Sequence, residues 1–389
     1  MFLYPLTVLA LVAPATTSAL DLNQVLAAAR SSETRLAAEA ELAAAARELS
    51  LSRGRLLDAP TLTVETGPRF SPSGDDFDLA LGLEAPLAAD QAEHRAAVEA
   101  LAAARHDLLA AADLSARLDL ELAYVDAWEA AEAVGLAERE VETVSAWLAV
   151  VAARVAAGAE AAYETTLVAS ELQASRLALV GARERHRVTW AELGALAAIP
   201  AEPQGLVEPQ EPFFADSERG VETSLFARAI RADAALERSL ATLAVARAGS
   251  RWSVLGSLGR EGEEEAARVG LGLRLPLSGQ VQARQAALAA EVAAAGRSAE
   301  LDLARLEARW AGARERLAGV GPTTLLPSAE VERALAALDA RVSAGKDRPS
   351  QVLPLRRQLV SALATALTAR AARLRASFEI AALTLEASP

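Results

Sequence analysis

The amino-acid sequence predicts a mainly α-helical protein with a small β part, built from a duplicated unit of long helical hairpins and strand pairs. Long segments rich in Ala and Leu have helical periodicity. Two short segments, LALGLEAPL at 79–87 and VGLGLRLPL at 269–277, alternate large apolar residues with small or charged ones, which is typical of strands. The motif ARVAAG at 153–158 returns as ARVSAG at 340–345, an offset of 187 positions (340 minus 153). The strand segments repeat at a similar offset, and this agreement indicates a duplication.

The composition narrows the range of functions. Hydrophobic residues make up 52% of the 389, aromatic residues only 4%, and the net charge is −13. Alanine-rich helices of this kind suit close helix–helix packing. The acidic balance, without a basic stripe, argues against nucleic acid as a partner. The absence of cysteine excludes disulfides, thiol catalysis and lipid attachment through an N-terminal cysteine.

Residues 1–19 are predicted to be a secretory signal peptide. An apolar run is followed by small residues, with Thr17 and Ala19 suitably placed before a cleavage point. The alternative is a single membrane anchor, for which the apolar run is short against the ~20 residues needed and is interrupted by Pro14. No later segment has an uninterrupted apolar run of that length.

The rest of the chain divides into two repeats, 20–198 and 221–389, joined by a proline-rich linker at 199–220. The predicted elements of the first repeat are a helix at 20–57, strands at 61–67 and 77–87 joined by a loop at 68–76, a helix from Asp90 to Val155, a turn at Gly158 and a helix at 161–198. Those of the second repeat are a helix at 221–248, strands at 252–259 and 268–277 joined by a charged loop at 260–267, and helices at 280–318, 328–344 and 349–385.

The alternating strands have one continuous apolar face. The face is formed by Leu79, Leu81 and Leu83 in the first repeat and by Val269, Leu271, Leu273 and Leu275 in the second. Such alternation is what the lipid-facing side of a membrane β-barrel requires, although a soluble strand lying on a core gives the same pattern. Four strands per chain are too few for a barrel of about eight or more, so several chains would have to share one.

Three longer passages resemble the TolC-type family of outer-membrane efflux channels. They are LDLNQVLAAARSSETRLAAEAELAAAARELSLSRGRLLDAPTLTVETG at 20–67, LGLEAPLAADQAEHRAAVEALAAARHDL at 81–108 and RERLAGVGPTTLLPSAEVERALAALDARVSAG at 314–345. The resemblance implies a homotrimer with a 12-stranded β-barrel in the outer membrane and an α-helical tunnel in the periplasm. It also implies two partners, a periplasmic adaptor (membrane fusion protein) and an inner-membrane pump that supplies the energy.

The resemblance also implies functional positions. Gly158 and Gly345 match the glycines at the turns of the periplasmic helical hairpins, and Arg154 and Arg341 match basic residues one turn earlier; adaptors are expected to dock there. A purely structural role is the alternative, because glycine suits the C′ position of a helix and arginine its last turn. Four residues are expected near the tunnel entrance: Glu160, Glu164, Asp347 and Gln351. Gln351 and Pro354 stand where the family often has acidic residues.

No catalytic, cofactor or metal site is predicted. His94, His106 and His186 are the only histidines, and they lack the spacing of a metal site. No nucleophile–base pair or phosphate-binding loop is evident. The resemblance therefore implies a passive conduit of a tripartite efflux or type I secretion system, and the lack of a catalytic motif agrees with it. The alternatives are a periplasmic adaptor, which should have many more strands, and an extended coiled-coil structural protein, which would leave the duplicated strands unexplained.

Overall fold

The computed structural model describes residues 19–28, 33–51, 61–71, 74–86, 91–197, 199, 205–212, 220–248, 251–261, 264–274, 279–320 and 328–386. Of the sequence-based expectations, the signal peptide (apart from Ala19), part of the 199–220 linker and the lipid-facing Leu275 lie outside these ranges.

Helices form most of the described chain, with one small sheet, which confirms the predicted fold class. The helices are α1 Leu22–Ala28, α2 Glu33–Leu51, α3 Gln91–Ala156, α4 Ala162–Ala197, α5 Leu225–Ala248, α6 Gly279–Gly319, α7 Ser328–Ser343 and α8 Pro349–Thr384. The strands are β1 Thr61–Ser71, β2 Gly74–Pro86, β3 Arg251–Glu261 and β4 Glu264–Arg274. A short 3₁₀ turn, Val221–Thr223, precedes α5.

The four strands form one antiparallel sheet in the order β1-β2-β3-β4. The strand pair of each repeat is a hairpin, and the two hairpins join through β2 and β3, where Leu81 is opposite Leu258. Each outer strand, β1 and β4, therefore has a single neighbour among the described strands. Both hairpins leave one backbone edge open.

The hairpins are longer than the sequence predicted. The loops expected at 68–76 and 260–267 are largely strand, because the ladders continue to the pairs Ser71–Gly74 and Glu261–Glu264. The prediction followed the apolar alternation, which stops where Pro, Asp and Glu begin. Antiparallel pairing depends on backbone hydrogen bonds, so it extends through polar residues that give no hydropathy signal.

The described chain divides into two compact units. The strand unit comprises the described residues within 33–114, 217–310 and 383–389, and the turn unit comprises the described residues within 1–32, 115–216 and 311–382. In the strand unit, α2, α3 and α5 pack through Leu42, Ala104 and Leu236. The small side chain on α3 lets the larger leucines of its neighbours fill the space between the helices.

The core of the turn unit lies among α3, α4, α7 and α8. Val144, Trp147 and Val151 of α3 are spaced at helical intervals and are fully buried or nearly so. They pack in one cluster with residues of the other three helices, namely Val168, Leu172, Val342, Val352 and Leu353. Because Val151 and Val342 of this cluster precede the two helical turns by only a few residues, their packing holds the helix ends from which the turns begin.

A polar contact holds the start of the described chain in the turn unit. Leu20 forms an isolated parallel bridge with Leu206. The hydroxyl of Tyr124 lies 2.8 Å from the carbonyl oxygen of Leu20 and 2.6 Å from that of Val207, so its single proton is within hydrogen-bond reach of both segments. Burial raises the pKa of Tyr124 well above its usual value, which keeps the hydroxyl a donor.

Within the described ranges, none of the helices is both long and apolar enough to cross a membrane.

Candidate functional site

The chain reverses direction between α3 and α4 in a Schellman turn at Gly158. The N–H of Gly158 donates to the carbonyl of Val155 at 3.0 Å, and the N–H of Ala159 donates to that of Arg154 at 2.9 Å. Gly158 has a φ of 71°, in the left-handed region that a Cβ disfavours. Glycine is therefore the residue that this reversal requires.

The turn between α7 and α8 repeats this geometry. Gly345 has the same φ of 71°. Its N–H donates to the carbonyl of Val342 at 3.0 Å, and the N–H of Lys346 donates to that of Arg341 at 2.9 Å. Lys346, the single lysine of the chain, is exposed at this turn. The duplicated ARVAAG and ARVSAG motifs thus form two turns with the same hydrogen bonds.

Substituting the turn glycines is expected to destabilise the protein. Gly158→Ala should lower the free energy of unfolding by about 1–2 kcal/mol, because the left-handed backbone conformation is unfavourable for a residue with a Cβ. Gly345→Ala should cost at least as much, because its new Cβ would also lie 3.3 Å from Cζ of Arg154. Gly181→Ala is the matched control: it lies inside α4 with open space around its Cβ and should stabilise the helix by up to ~1 kcal/mol. Denaturant titration followed by circular dichroism would measure all three, and equal responses would contradict the turn assignment.

Arg154 connects the two turns of one chain. Its guanidinium forms an ion pair with Glu160 at 3.1 Å, and its Cζ lies 3.3 Å from the position that a Cβ on Gly345 would occupy. Glu160 is almost completely buried in this contact. Of the residues predicted from the sequence, the structure therefore brings Arg154, Glu160 and Gly345 together.

Arg341 makes the corresponding ion pair in the second turn, with Asp347. Nε and Nη2 of Arg341 donate to the two carboxylate oxygens of Asp347 at 2.5 and 2.9 Å. The Arg341 hydrogen bonds lower the pKa of Asp347, so this carboxylate is charged at neutral pH. Unlike Arg154, the Arg341 side chain is largely exposed, and a Cβ built at Gly158 would have no atom within 4 Å.

Glu164 joins α4 to the first turn of α8. Its carboxylate accepts the N–H of Ser350 at 3.0 Å and the hydroxyl of Ser350 at 2.5 Å. It thereby caps a helix that begins with Pro349, a residue favoured at the first helical position. Burial raises the pKa of Glu164, but the hydrogen bonds from Ser350 outweigh it and bring the pKa below its ordinary value. Glu164 is thus a buried carboxylate in a contact between helices, and Gln351 is exposed beside it.

The sequence analysis missed a buried ionic cluster in the turn unit. Arg356 of α8 is only 3% exposed. Its Nη2 lies 2.9 Å from the carboxylate of Glu140, its Nε lies 3.7 Å from Asp339, and its Cζ lies 5.2 Å from the ring centre of Trp147. Burial raises the pKa of Glu140 and of Asp339, while the charge of Arg356 lowers both. The sequence could have indicated that Arg356 is buried, because Arg356 follows the apolar Val352 by four positions and so lies on the same helix face.

The sheet of the strand unit presents a continuous apolar face. Residues paired directly across antiparallel strands lie on the same side of a sheet. The pairs on this side are Leu62–Leu83, Val64–Leu81, Leu81–Leu258, Val254–Leu271 and Trp252–Leu273. Val269 on this side is 85% exposed, and Leu81, Leu83, Leu271 and Leu273 are also exposed. Leu79 lies in β2, opposite Thr66 in the ladder.

The opposite side of the sheet is mainly polar or small. Its pairs include Thr61–Glu84, Thr63–Gly82, Ser257–Arg268 and Ser253–Gly272, with Leu255 opposite Gly270. The sheet therefore separates an apolar side from a polar side, and the large apolar residues described on the first side are exposed.

The fold matches solved structures along almost the whole chain. The CmeC outer membrane channel of Campylobacter jejuni has a TM-score of 0.73 at 15% identity, with 93% of this chain and 85% of that chain covered. The outer membrane protein VceC of Vibrio cholerae has a TM-score of 0.69 at 18% identity, with 94% and 96% covered. The MtrE outer membrane channel of Neisseria gonorrhoeae, in its open state, has a TM-score of 0.65 at 17% identity, with 93% and 88% covered.

The chain has the TolC-type fold. The resemblance stated from the sequence is thereby confirmed at the level of fold. No protein-family model and no curated protein sequence matches the chain.

Within the described residues, no group of three metal-binding side chains is placed to hold an ion.

Proposed function

We propose that this chain is the outer-membrane channel subunit of a tripartite efflux or type I secretion system. Three copies form a 12-stranded β-barrel in the outer membrane, continued by a helical tunnel in the periplasm. The channel is a passive conduit without catalytic chemistry of its own, and the pump provides energy and most of the selectivity. The signal peptide at 1–19 directs export. The repeats 20–198 and 221–389 are the two halves of each subunit, joined by the linker at 199–220.

The observation that carries this proposal is the uncovered apolar side of the sheet. Side chains such as Val269 and Leu271 are far more exposed than aliphatic residues of a folded core. A bilayer is the environment that favours such a surface, and the polar side, with Glu84 and Arg268, would then face a water-filled lumen.

The open edges of the sheet support assembly from several copies. A strand edge cannot lie bare in lipid, because each unpaired backbone group there costs several kcal/mol. In an antiparallel order β1-β2-β3-β4, β1 and β4 run in opposite directions, so β4 of one copy can pair antiparallel with β1 of the next. Three copies of four strands close a barrel wide enough to leave a lumen.

The two glycine turns are the proposed docking positions for a periplasmic adaptor. Arg154, Gly158, Arg341 and Gly345 form two similar exposed reversals, which suit repeated contacts with a ring of adaptor subunits. The acidic and amide residues beside them, Glu160, Glu164, Asp347 and Gln351, are the proposed tunnel-entrance residues. Because these residues differ in burial, we assign them different roles. Glu164 holds the first turn of α8, and the exposed Gln351 can contact the transported substrate.

The alternatives fit less well. A periplasmic adaptor should have several further β domains, whereas the described residues hold one four-stranded sheet. The reading as an extended coiled-coil structural protein does not explain an amphipathic sheet with two open edges.

A localisation and conductance experiment tests the proposal. The full chain, expressed in a Gram-negative host, should fractionate with the outer membrane and migrate as a heat-modifiable oligomer. The detergent-purified oligomer should produce stepwise conductance in planar bilayers. A soluble periplasmic monomer without conductance would refute the channel and favour the structural alternative.

A further inference from the structure

The buried ionic cluster of the turn unit joins three helices. Arg356 of α8 places Nη2 2.9 Å from the carboxylate of Glu140 on α3 and Nε 3.7 Å from that of Asp339 on α7. Its guanidinium lies over the ring of Trp147, which belongs to the apolar core of this unit. The side chains of Glu140 and Asp339 are 16% and 29% exposed. The three charges therefore interact in a poorly solvated place.

The cluster carries one more negative charge than positive. It contains two carboxylates and a single guanidinium. The neighbouring pair does not correct the balance, because Glu171 of α4 is already bound by Arg357 of α8. The charge of Glu171 and that of Asp339 both disfavour the ionised form of Glu140. An uncompensated charge is costly away from water, so the cluster favours neutralisation of one of its carboxyl groups.

The two carboxylates are not bound equally. Glu140 is within hydrogen-bond distance of Nη2 of Arg356, whereas the 3.7 Å between Oδ1 of Asp339 and Nε is too long for a hydrogen bond. Oδ1 of Asp339 is buried, and no donor among the described residues bonds to it. A carboxyl group that gains a proton becomes neutral and can itself donate. One added proton therefore removes the excess charge and leaves a carboxylate paired with Arg356.

The electrostatics of the two groups agree with this charge count. Burial raises the pKa of Glu140 and of Asp339, and the attraction of Arg356, which lowers both, does not cancel the effect of burial. Because the two groups act on each other, a proton taken up here belongs to the pair and not to one residue alone.

We propose that Glu140, Asp339 and Arg356 form a proton-binding site, which takes up one proton on mild acidification and thereby tightens the hold of α7 on α3 and α8. With the proton bound, the remaining carboxylate and guanidinium balance. Without it, the second carboxylate favours contact with water, and Asp339 is the more exposed of the two. Helix α7 leads into the turn at Gly345, so the proton controls how firmly this arm of the hairpin is held. The inference is independent of the proposed function, because every group in it belongs to one chain.

The direction of the pH effect follows from the two states of α7. When α7 loosens, Glu140 and Asp339 become hydrated and regain their ordinary pKa values of 4.5 and 3.8. Between these values and the raised pKa of the packed site, the packed state holds up to one proton more than the loosened state. The equilibrium constant for loosening therefore rises by up to about tenfold per pH unit in this range and levels off above it. Glu164 and Asp347 have lowered pKa values and titrate below this range.

Hydrogen exchange followed by mass spectrometry tests the site in the full-length, detergent-purified protein. The readout is the protection factor of the α7 amides from about pH 5 to about pH 7.5, corrected for the intrinsic pH dependence of exchange. In the natural protein, α7 protection should rise as the pH falls, by up to about tenfold per unit. Glu140→Gln and Asp339→Asn each leave one carboxylate paired with Arg356. In both variants, α7 protection should therefore be high and nearly independent of pH.

Glu138→Gln is the matched control for Glu140→Gln. Glu138 lies two residues earlier on α3, but it pairs with Arg183 at the surface, where the two side chains are 48% and 61% exposed. This variant should keep the pH dependence of the natural protein. Unchanged α7 protection in the natural protein across the pH range would overturn the proton site. Glu140→Gln and Asp339→Asn variants that keep the natural slope would overturn it as well. Conductance in bilayers is measured separately, so these outcomes leave the proposed channel standing.

Discussion

Replacing Arg356 by methionine is expected to lower the free energy of unfolding by about 3–5 kcal/mol. Arg356 is almost completely buried and lies between the carboxylates of Glu140 and Asp339. Removing the cation leaves both carboxylates in a poorly solvated site without a compensating charge. Denaturant titration of the helical circular dichroism signal, at one fixed protein concentration, measures the loss.

The pH dependence of this variant has a definite sign. Burial already raises the pKa of Glu140, with smaller contributions from Glu171 and Asp339, and the loss of Arg356 removes the charge that lowers it. A carboxyl group whose folded pKa is raised above its unfolded value costs stability when it ionises. The deficit of Arg356→Met should therefore shrink as the pH falls through the raised pKa, from neutral towards mildly acidic values.

Two controls accompany Arg356→Met. Arg305→Ala removes an exposed ion pair with Asp302 and should change the free energy of unfolding by about 0.5 kcal/mol or less. Adding Glu140→Gln and Asp339→Asn to Arg356→Met should restore a large part of the loss, since no buried charge is then left unpaired. A similar small effect for Arg356→Met and Arg305→Ala would show that the cluster is hydrated.

In the proposed channel, replacing Leu271 by arginine is expected to prevent stable insertion of the sheet into the outer membrane. A charged side chain on the lipid-facing side of a membrane barrel costs about 2–4 kcal/mol near the bilayer midplane, and a trimer carries the substitution three times. The readouts are the amount of heat-modifiable oligomer in the outer-membrane fraction and its thermal dissociation.

Gly270→Arg is the matched control for Leu271→Arg. Gly270 precedes Leu271 in β4, lies on the opposite side of the sheet and has open space around its Cβ. In the proposed barrel the same arginine faces the lumen, so assembly should remain largely intact. Equal tolerance of both substitutions would indicate that water, not lipid, surrounds the apolar side.

The sequence predicted the elements whose signal is local. The alternation through Leu81 and Leu83 follows from the two-residue period of a strand, and the register confirms that these residues share a side with Leu258 and Leu271. The turns at Gly158 and Gly345 were expected because glycine ends both copies of the repeated motif and suits the C′ position of a helix.

The contacts that the sequence did not reveal join distant segments. The Glu164–Ser350 and Arg356–Glu140 contacts depend on the relative height and rotation of helices far apart in the chain. Periodicity shows which face of a helix is apolar, but it does not say which residue on another helix will stand opposite. The extended hairpin tips were missed for a related reason, because backbone pairing needs no apolar side chains.

The position of Lys346 has a practical consequence. It is the only ε-amine in the chain, and it is exposed directly after Gly345 in the second turn. An amine-reactive fluorophore will therefore attach to each molecule at that turn and at the α-amine alone. Without any engineered residue, the natural protein can therefore carry a fluorescent label at the turn that we propose as an adaptor-docking position.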